Sequence, residues 1–261
     1  MAKYERIADD LRTLIKDGTL TPGEQLAAET TLTERYRVSL PTLRQALGVL
    51  RAEGLIESRQ GIGTYVRAPQ HRVRRSPERY HAEKQRARLP VEARLGKGAV
   101  EDDTGLNYED VEFNAEFDVE PASNDLAAVF GIDPGTSLLC RTYCARYRNE
   151  SRPLHLIHSY LVYDMAAKNP DLLSADSEPW PGGTMNQLHT IGVELSQITE
   201  YVTARPPTST ENELLEIDKG VSVLCIRKVS EDLHNNVVEV SDIFLPGDRT
   251  ELVYTTKLEE W

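Results

Sequence analysis

Residues 38–66 read VSLPTLRQALGVLRAEGLIESRQGIGTYV, and this stretch decides the fold of the N-terminal part of the chain. Ser39 suits a helix N-cap, Pro41 suits the first helical turn, and Gly54 suits a helix C-terminus. Four apolar residues between them recur at helical spacing and predict one buried face: Leu43, Ala46, Leu47 and Leu50.

Two helices are predicted before this one, over about residues 2–17 and over residues 29–36. After it, the strand-like pieces LIESR and TYVR flank a glycine-rich tip at residues 60–63. Two helices joined by a tight turn and followed by a hairpin form a winged helix-turn-helix. The second helix of such a motif can enter the major groove of DNA.

The exposed side of the third helix and the wing supply the candidate DNA contacts. Arg44 faces outward at the start of that helix, where it suits a base or a phosphate, although a solvated surface charge is the alternative. The wing glycines could instead only form a turn, and Arg35 could only solvate a helix end. The predicted DNA-binding residues are Arg35, Ser39, Leu40, Pro41, Thr42, Arg44, Gln45, Arg59, Gln60, Gly61, Gly63 and Thr64.

The formal net charge of the 261 residues is −12, which at first argues against a polyanionic partner. The charge is unevenly distributed, however. Residues 1–67 hold 10 Lys+Arg and 9 Asp+Glu, residues 68–95 hold 8 and 3, and residues 96–261 hold 12 and 30. Because salt screens charges beyond a Debye length of roughly 8–10 Å, the local balance near the helix matters more than the total.

The whole N-terminal module resembles the GntR family of bacterial transcription regulators. The resemblance covers YERIADDLRTLIKDGTLTPGEQL, LTERYRVSLPTLRQALGVLRAEGLI and SRQGIGTYV. The family usually has LPSER before the second helix and VSRxTVR into the third, with arginines that contact DNA. Here Thr30 and Leu40 occupy two of those arginine positions and Arg44 keeps the third. The resemblance therefore implies DNA binding at a different operator, where Leu40 could pack on a thymine methyl.

The C-terminal part contains an internal echo. IDPGTSLLCR (132–141) and IDKGVSVLCIR (217–227) each follow a helical segment and each lead into two strands. A helix and hairpin present twice predict two equivalent halves that build one mostly antiparallel sheet, with helices on one face. The fold class is therefore α+β. In this pattern Cys140 and Cys225 are matched core positions, and the three cysteines of the chain are expected to be buried free thiols.

This arrangement is similar to the UTRA effector domain of the HutC subfamily, whose fold is similar to that of chorismate lyase. The resemblance implies a small-molecule pocket, often for a phosphosugar or another acid, and dimerisation. The effector-binding residues that it implies are Arg146, Arg148, Thr184, Glu239 and Arg249. From the residues alone, surface salt bridges remain an alternative for Arg148 and Arg249. His155 and His158 are expected to pack or to be solvated on strand faces.

Residues 68–95 are basic and bounded by Pro69 and Pro90, which predicts a flexible or loosely helical tether. The expected organisation is a winged helix over residues 1–67, this linker, and an effector-binding and dimerisation domain over residues 96–261. No apolar run is long enough to span a bilayer or to form a secretory signal, so we expect a cytoplasmic protein. No metal-ligand spacing or cofactor motif occurs, and we expect neither.

The expected function is a homodimeric transcription factor, most simply a repressor, that binds a pseudo-palindromic double-stranded DNA operator and is released by a small-molecule effector. Two alternatives remain open. One is a constitutive plasmid or mobile-element repressor whose C-terminal domain only dimerises. The other is a lyase-like enzyme with a DNA-binding appendage, for which the sequence offers no convincing general acid or base.

Overall fold

The computed structural model describes residues 2–59, 61–67, 73–95, 103, 105, 108–148, 152–218 and 220–258. Three helices and a two-stranded hairpin form the N-terminal domain, in which helix α3 packs on α1 and α2. Its apolar core includes Leu11, Leu32 and Leu47, each less than one-tenth exposed. The elements are α1 (Lys3–Lys16), α2 (Glu29–Tyr36), α3 (Leu40–Ala52), β1 (Ile56–Arg59) and β2 (Gly63–Val66).

The turn between α2 and α3 places the third helix for contact with a ligand. Arg37 ends α2 in the left-handed conformation, with a φ of 53°. Ser39 lies at the N-cap position of α3 as predicted, but its side chain bonds no helix N–H group. Its Oγ lies instead 3.0 Å from Oγ1 of Thr42. Both hydroxyl groups therefore lie at the start of α3, with Ser39 exposed and Thr42 half-buried.

Six antiparallel strands form the sheet of the C-terminal domain, in the order β4-β5-β6-β9-β8-β7. Each half of the sheet repeats the sequence strand, helix, strand, strand, and β6 pairs with β9 where the halves meet. The prediction of two similar halves in one antiparallel sheet is confirmed, but helices lie on both faces of the sheet and not on one. Leu126 packs with Leu138, whereas Leu188 packs with Leu139, which points to the opposite face. The elements are β4 (Val111–Pro121), α6 (Asn124–Phe130), β5 (Ser137–Tyr147), β6 (Pro153–Val162), α7 (Tyr163–Ala166), α8 (Gly183–Thr190), β7 (Leu195–Arg205), α9 (Ser209–Leu215), β8 (Val223–Asp232) and β9 (Val237–Pro246).

The segment between the two domains is built into the C-terminal domain. Residues 68–72 lie outside the described residues. After them β3 (Val73–Arg75) pairs in parallel with β10 (Thr250–Leu252), and α4 (Glu78–Arg86) packs against α8. Tyr80 and Ala87 join an apolar cluster of the effector domain. The prediction of a free tether is therefore wrong for the described part of the linker, although its helical content, with the short α5 (Val91–Arg94), was expected.

A buried ion pair joins the two domains. Arg67, directly after the wing, donates from Nη1 to Oδ2 of Asp248 at 2.5 Å, and their side chains are 4% and 0% exposed. Nη2 of Arg67 lies 3.5 Å from Asp218, which also accepts from Arg152. This contact fixes the position of the wing relative to β9 and β10.

The three cysteines are free thiols, but only Cys140 is buried, and Cys144 and Cys225 are half-buried. All three lie on the same face of the sheet, since Cys144 and Cys225 are aligned across it through Leu156 and Phe244, and Cys140 is four positions before Cys144 on β5. Within the described ranges no helix is long and apolar enough to cross a membrane.

Candidate DNA-binding surface and effector cavity

The exposed face of α3 is polar, and its buried face is apolar. Leu43 and Leu47 are buried, whereas Arg44 and Gln45 are exposed on the same turn. Leu40, one of the two positions where the resemblance led us to expect arginine, is 39% exposed beside Pro41. The start of the helix therefore presents side chains that can reach base edges and phosphates.

Arg44 forms an exposed ion pair with Glu29. Its guanidinium donates to both carboxylate oxygens of Glu29 on α2, at 2.8 to 3.2 Å, and its side chain is 60% exposed. The side-chain hydrogen bond from Arg44 lowers the pKa of Glu29 and keeps this carboxyl ionised. An exposed pair of this kind contributes little to stability, so a phosphate can replace the carboxylate at small cost.

The wing turns at Gly61 and Gly63, both with positive φ. A Cβ on Gly63 would lie 2.4 Å from Nε2 of Gln25, which itself donates to the Ile62 carbonyl at 3.1 Å. The Gln25 side chain could move aside, but the φ of 148° at Gly63 is one that a residue with a Cβ rarely adopts, which favours glycine here. Arg59 lies over the ring of Tyr65 at 4.4 Å and pairs with Glu57.

The structure places the predicted DNA-binding residues on one domain. Arg35 is exposed, 3.9 Å from Asp10, Gly61 is exposed, and Thr64 is half-buried in β2. Gln60 lies outside the described residues. Sequence reasoning missed Ile62, which is 65% exposed at the tip of the wing. The sequence contained a signal for this exposure, since an apolar residue between two turn glycines lies too far from the core to be buried.

A cavity of about 500 Å³ lies between the sheet of the C-terminal domain, α8 and the linker segment. Inward-facing residues of β4, β5, β6, β8 and β9 form its floor, and residues of β3 and α4 form its opposite wall. Its volume is within the usual range for small-molecule sites. The cavity is therefore the candidate effector site.

Glu239 of β9 is the centre of a buried polar network on the cavity floor. The residue is 1% exposed, and its carboxylate accepts hydrogen bonds from Ser159, Ser230 and Ser241 at 2.8 to 3.1 Å. Burial opposes its charge, but Lys228 at 2.9 Å and Arg141 at 3.5 Å more than compensate and lower the pKa of Glu239 to about 2.

Arg141 connects this network to α8. Its guanidinium donates to Oε1 of Gln187 and to Oγ of Ser159, both at 2.7 Å. Gln187 in turn donates to Glu178 at 2.7 Å, and Glu178 also accepts from the hydroxyl of Tyr143 at 2.9 Å. A continuous hydrogen-bonded path thus runs from the sheet to the loop before α8.

The linker wall carries a second network. Arg75 of β3 and the hydroxyl of Tyr80 on α4 both bond the same carboxylate oxygen of Glu200 on β7. One position before Tyr80, Arg79 pairs with Asp103. Glu83, one turn further along α4, accepts from the backbone N–H of Met185 at the start of α8. The segment that leaves the winged helix is therefore part of the cavity through β3 and two turns of α4.

Two of the predicted effector residues, Thr184 and Glu239, line the cavity, and three do not. Arg146 pairs with Glu112 across the outer face of the sheet, because Tyr143 points inward and side chains alternate along β5. Arg148 bonds the Glu109 carbonyl on the surface. Arg249 is buried beside Asp248 at the domain junction, where burial lowers its pKa to about 10. These three placements correct the expectation that the five residues converge.

Sequence reasoning missed most of the cavity wall. One signal was available in the linker, since Tyr80, Glu83 and Ala87 share one side of a helix at i, i+3 and i+7. His155 was expected to pack or to be solvated on a strand face, and it is buried on the cavity wall. No signal identified the remainder of the missed set, which is Arg75, Arg79, Tyr143, Glu178, Trp180 and Gln187.

Comparison with known proteins identifies both domains. Residues 3–66 match the model of the bacterial regulatory proteins of the gntR family, and residues 114–251 match the UTRA domain. The chain belongs to the GntR family. This GntR protein is 28% identical over 262 residues to the HTH-type transcriptional regulator SCO4628 of Streptomyces coelicolor, covering 99% of this chain and 94% of that protein.

It is 23% identical over 252 residues to the HTH-type transcriptional repressor NagR of Bacillus subtilis, with 96% and 93% of the two chains covered. A crystal structure of a GntR-family transcriptional regulator is similar with a TM-score of 0.65 and 27% identity over 99% of each chain. The GntR protein described here is accordingly a DNA-binding transcriptional regulator with an effector-binding UTRA domain. Its relatives are regulators, which disfavours the lyase-like alternative.

Proposed function

We propose that this GntR regulator represses transcription as a homodimer on a pseudo-palindromic operator and that a small molecule in the cavity weakens its DNA binding. In this proposal residues 1–67 are the DNA-binding domain, residues 68–95 connect it to the cavity, and residues 96–261 form the effector and dimerisation domain. One α3 enters the major groove in each half-site, with half-sites about one helical turn, ~34 Å, apart.

The observation that carries the proposal is that the connecting segment forms one wall of the cavity. Tyr80 and Glu83 on α4 contact the sheet and α8, and Arg67 fixes the wing to the same domain. A ligand that prefers one arrangement of α4 therefore also prefers one placement of the winged helix. Differential affinity of this kind is what weakens DNA binding, typically by 1–3 kcal/mol.

The alternative of a constitutive repressor is less well supported. A domain that only dimerises does not need a cavity of about 500 Å³ with the buried Glu239, Arg75 and Gln187 on its walls. Dimerisation itself is compatible with either function, and the exposed Tyr201 and Val202 on the edge strand β7 are available for it.

The proposal is tested on the purified full chain by selecting bound fragments from random DNA and sequencing them. We expect a two-fold symmetric consensus, and light scattering of the free protein should give the mass of two chains. Tyr80→Phe, which removes the hydroxyl bonded to Glu200, should change operator affinity about 2- to 30-fold although it lies in the cavity wall. Glu213→Gln on the exposed side of α9 is the control. Equal operator affinities of Tyr80→Phe and the wild type would contradict the proposed coupling between the cavity and DNA binding.

A further inference from the structure

We propose that the effector is an uncharged, largely apolar molecule with a hydrogen-bonding group at one end, and that the cavity discriminates against anions. The inference rests on the proposed function, since it concerns the ligand of the same cavity. It departs from the expectation of an acidic effector that the family resemblance gives.

The charges on the cavity wall already balance. Among the described lining residues, four cations, Arg75, Arg79, Arg94 and Lys228, face four carboxylates, Glu83, Asp103, Glu178 and Glu239. Three of these cations, whose side chains are 7 to 14% exposed, are directly paired: Arg75 with Glu200, Arg79 with Asp103, and Lys228 with Glu239. The fourth, Arg94, donates to the Pro181 carbonyl at 2.5 Å. An anionic ligand would have to break one of the pairs, draw Arg94 away from this carbonyl, or enter without a counter-charge, and each costs free energy that a neutral ligand avoids.

The start of α8, where a helix favours an anion, is also already occupied. A carboxylate oxygen of Glu83 accepts from the N–H of Met185 at 3.2 Å, and a Cβ on Gly183 would lie 2.9 Å from the same oxygen. A second anion there would be repelled by Glu83 at close range. The helix terminus therefore already stabilises a carboxylate of this chain.

Much of the remaining wall is apolar. Aliphatic side chains come from β3, β4, β6 and β9, and aromatic rings come from β4, β5 and the loop before α8. Phe113 packs on Tyr143 at 5.5 Å between ring centroids, so that the aromatic part of the wall is continuous. The aliphatic part is formed by Val73, Val111, Leu154, Ile157, Ile243 and Leu245. Such a wall is stabilised by covering it with an apolar ligand.

Four lining residues carry a buried polar atom without a hydrogen-bond partner among the described residues: Nε of Arg75, Arg79 and Arg94, and Nε2 of His155. Of these four side chains, only that of His155 is not a permanent cation. His155 of β6 lines the cavity, is buried, and its Nε2 has no hydrogen-bond partner among the described residues. Burial, with Arg79 and Arg75 nearby, lowers the pKa of His155 to about 3, so the imidazole is neutral at physiological pH. A buried polar atom without a partner is costly. A hydroxyl, carbonyl or amide of the ligand would satisfy it without adding charge.

Two fluorescent probes with one skeleton test the inference on the full chain. N-phenyl-1-naphthylamine is uncharged, and 1-anilinonaphthalene-8-sulfonate is the same ring system with a sulfonate. We expect the uncharged probe to bind with one site per chain and at least about tenfold more tightly than the sulfonate. Binding in the cavity is the part of each signal that is lost in Ile157→Trp, which fills the space, with Ile243→Phe as a second filling variant.

Glu83→Gln shifts the charge balance of the wall by one unit and frees the start of α8. The ratio of the two dissociation constants should then move toward the sulfonate by about fivefold or more. Equal or tighter cavity binding of the sulfonate by the wild type, or no cavity binding of the uncharged probe, would overturn the inference. Neither result depends on DNA, and the selection of operator fragments uses no probe. Failure of the proposed ligand class and failure of the proposed function are therefore distinguishable.

Discussion

Arg44 is the side chain at which the DNA-binding proposal is most directly testable. Arg44→Ala should lower operator affinity about 5- to 150-fold, because one good arginine contact to a base contributes roughly 1–3 kcal/mol. Fluorescence anisotropy with the selected operator measures the loss. Arg148→Ala removes the same charge from the surface of the effector domain and should leave affinity within about twofold, since that charge is screened. Similar losses in both variants would mean that Arg44 acts only as one charge among many.

His155 makes the stability of the protein depend on pH. Its folded pKa of about 3 lies below its ordinary value of 6.5, so below pH 6.5 the unfolded chain binds a proton that the folded chain does not. Stability is therefore lost as the pH falls from about 6.5 toward 3, by at most ~1.4 kcal/mol per unit. Urea unfolding between pH 7 and 5 should show this slope, and His155→Gln should reduce it by about one proton. An unchanged slope would contradict a buried neutral His155.

The wing and the last strands of the sheet are joined through Arg67 and Asp248. Asp248→Asn leaves the buried Arg67 and Arg249 without their shared carboxylate, a change that typically costs about 3–5 kcal/mol. We expect calorimetry to show a separate, earlier transition of the winged helix. Glu112→Gln breaks the half-exposed pair with Arg146 and should cost less than about 1 kcal/mol. A single unchanged transition in Asp248→Asn would show that the domains are held together by other contacts.

The local elements could be predicted well from the sequence, and α2 begins and ends at the predicted residues 29 and 36. Helical spacing, caps and turn glycines are short-range signals, and they suffice for the winged helix. The strand β3 could not be predicted in this way, because its partner β10 lies about 175 positions away and the two pair in parallel. The polar linker therefore looked like a tether although it is part of a sheet and a cavity.

For the predicted effector residues, the face of the strand on which each side chain lies was harder to predict than the strand itself. The strand β5 was expected, but the direction of Arg146 depends on the register of the strand. One position along a strand moves a side chain to the other face. Glu239 was assigned to the pocket and lies on its wall, whereas Arg146 was assigned to it and lies on the outside.

The distribution of charge over the two domains determines how an acidic chain can bind DNA. The excess of carboxylates lies in residues 96–261, and the helix that carries Arg44 lies in a domain with nearly balanced charge. Two isosteric substitutions distinguish the effect on operator affinity of a charge beside Arg44 from the effect of the net charge of the chain. Glu29→Gln frees Arg44 and should raise operator affinity about two- to fivefold at low salt.

Glu213→Gln on α9 changes the net charge of the chain by the same amount in the effector domain, and we expect no more than about a 1.5-fold effect. Affinities measured across a salt series should converge for the wild type and Glu29→Gln as screening increases. Equal gains from the two variants would show that net charge, and not the neighbourhood of Arg44, controls binding.

The pairing of β3 with β10 has a consequence for biosynthesis. The winged helix is complete at Val66. The strand β10, which pairs with β3 of the connecting segment, begins only at Thr250, 184 positions later. At a translation rate of about 5–20 residues per second, this interval is roughly 10–40 s. Domains generally fold as units in order of synthesis, so each nascent chain carries a folded DNA-reading domain before its effector domain exists to restrain it.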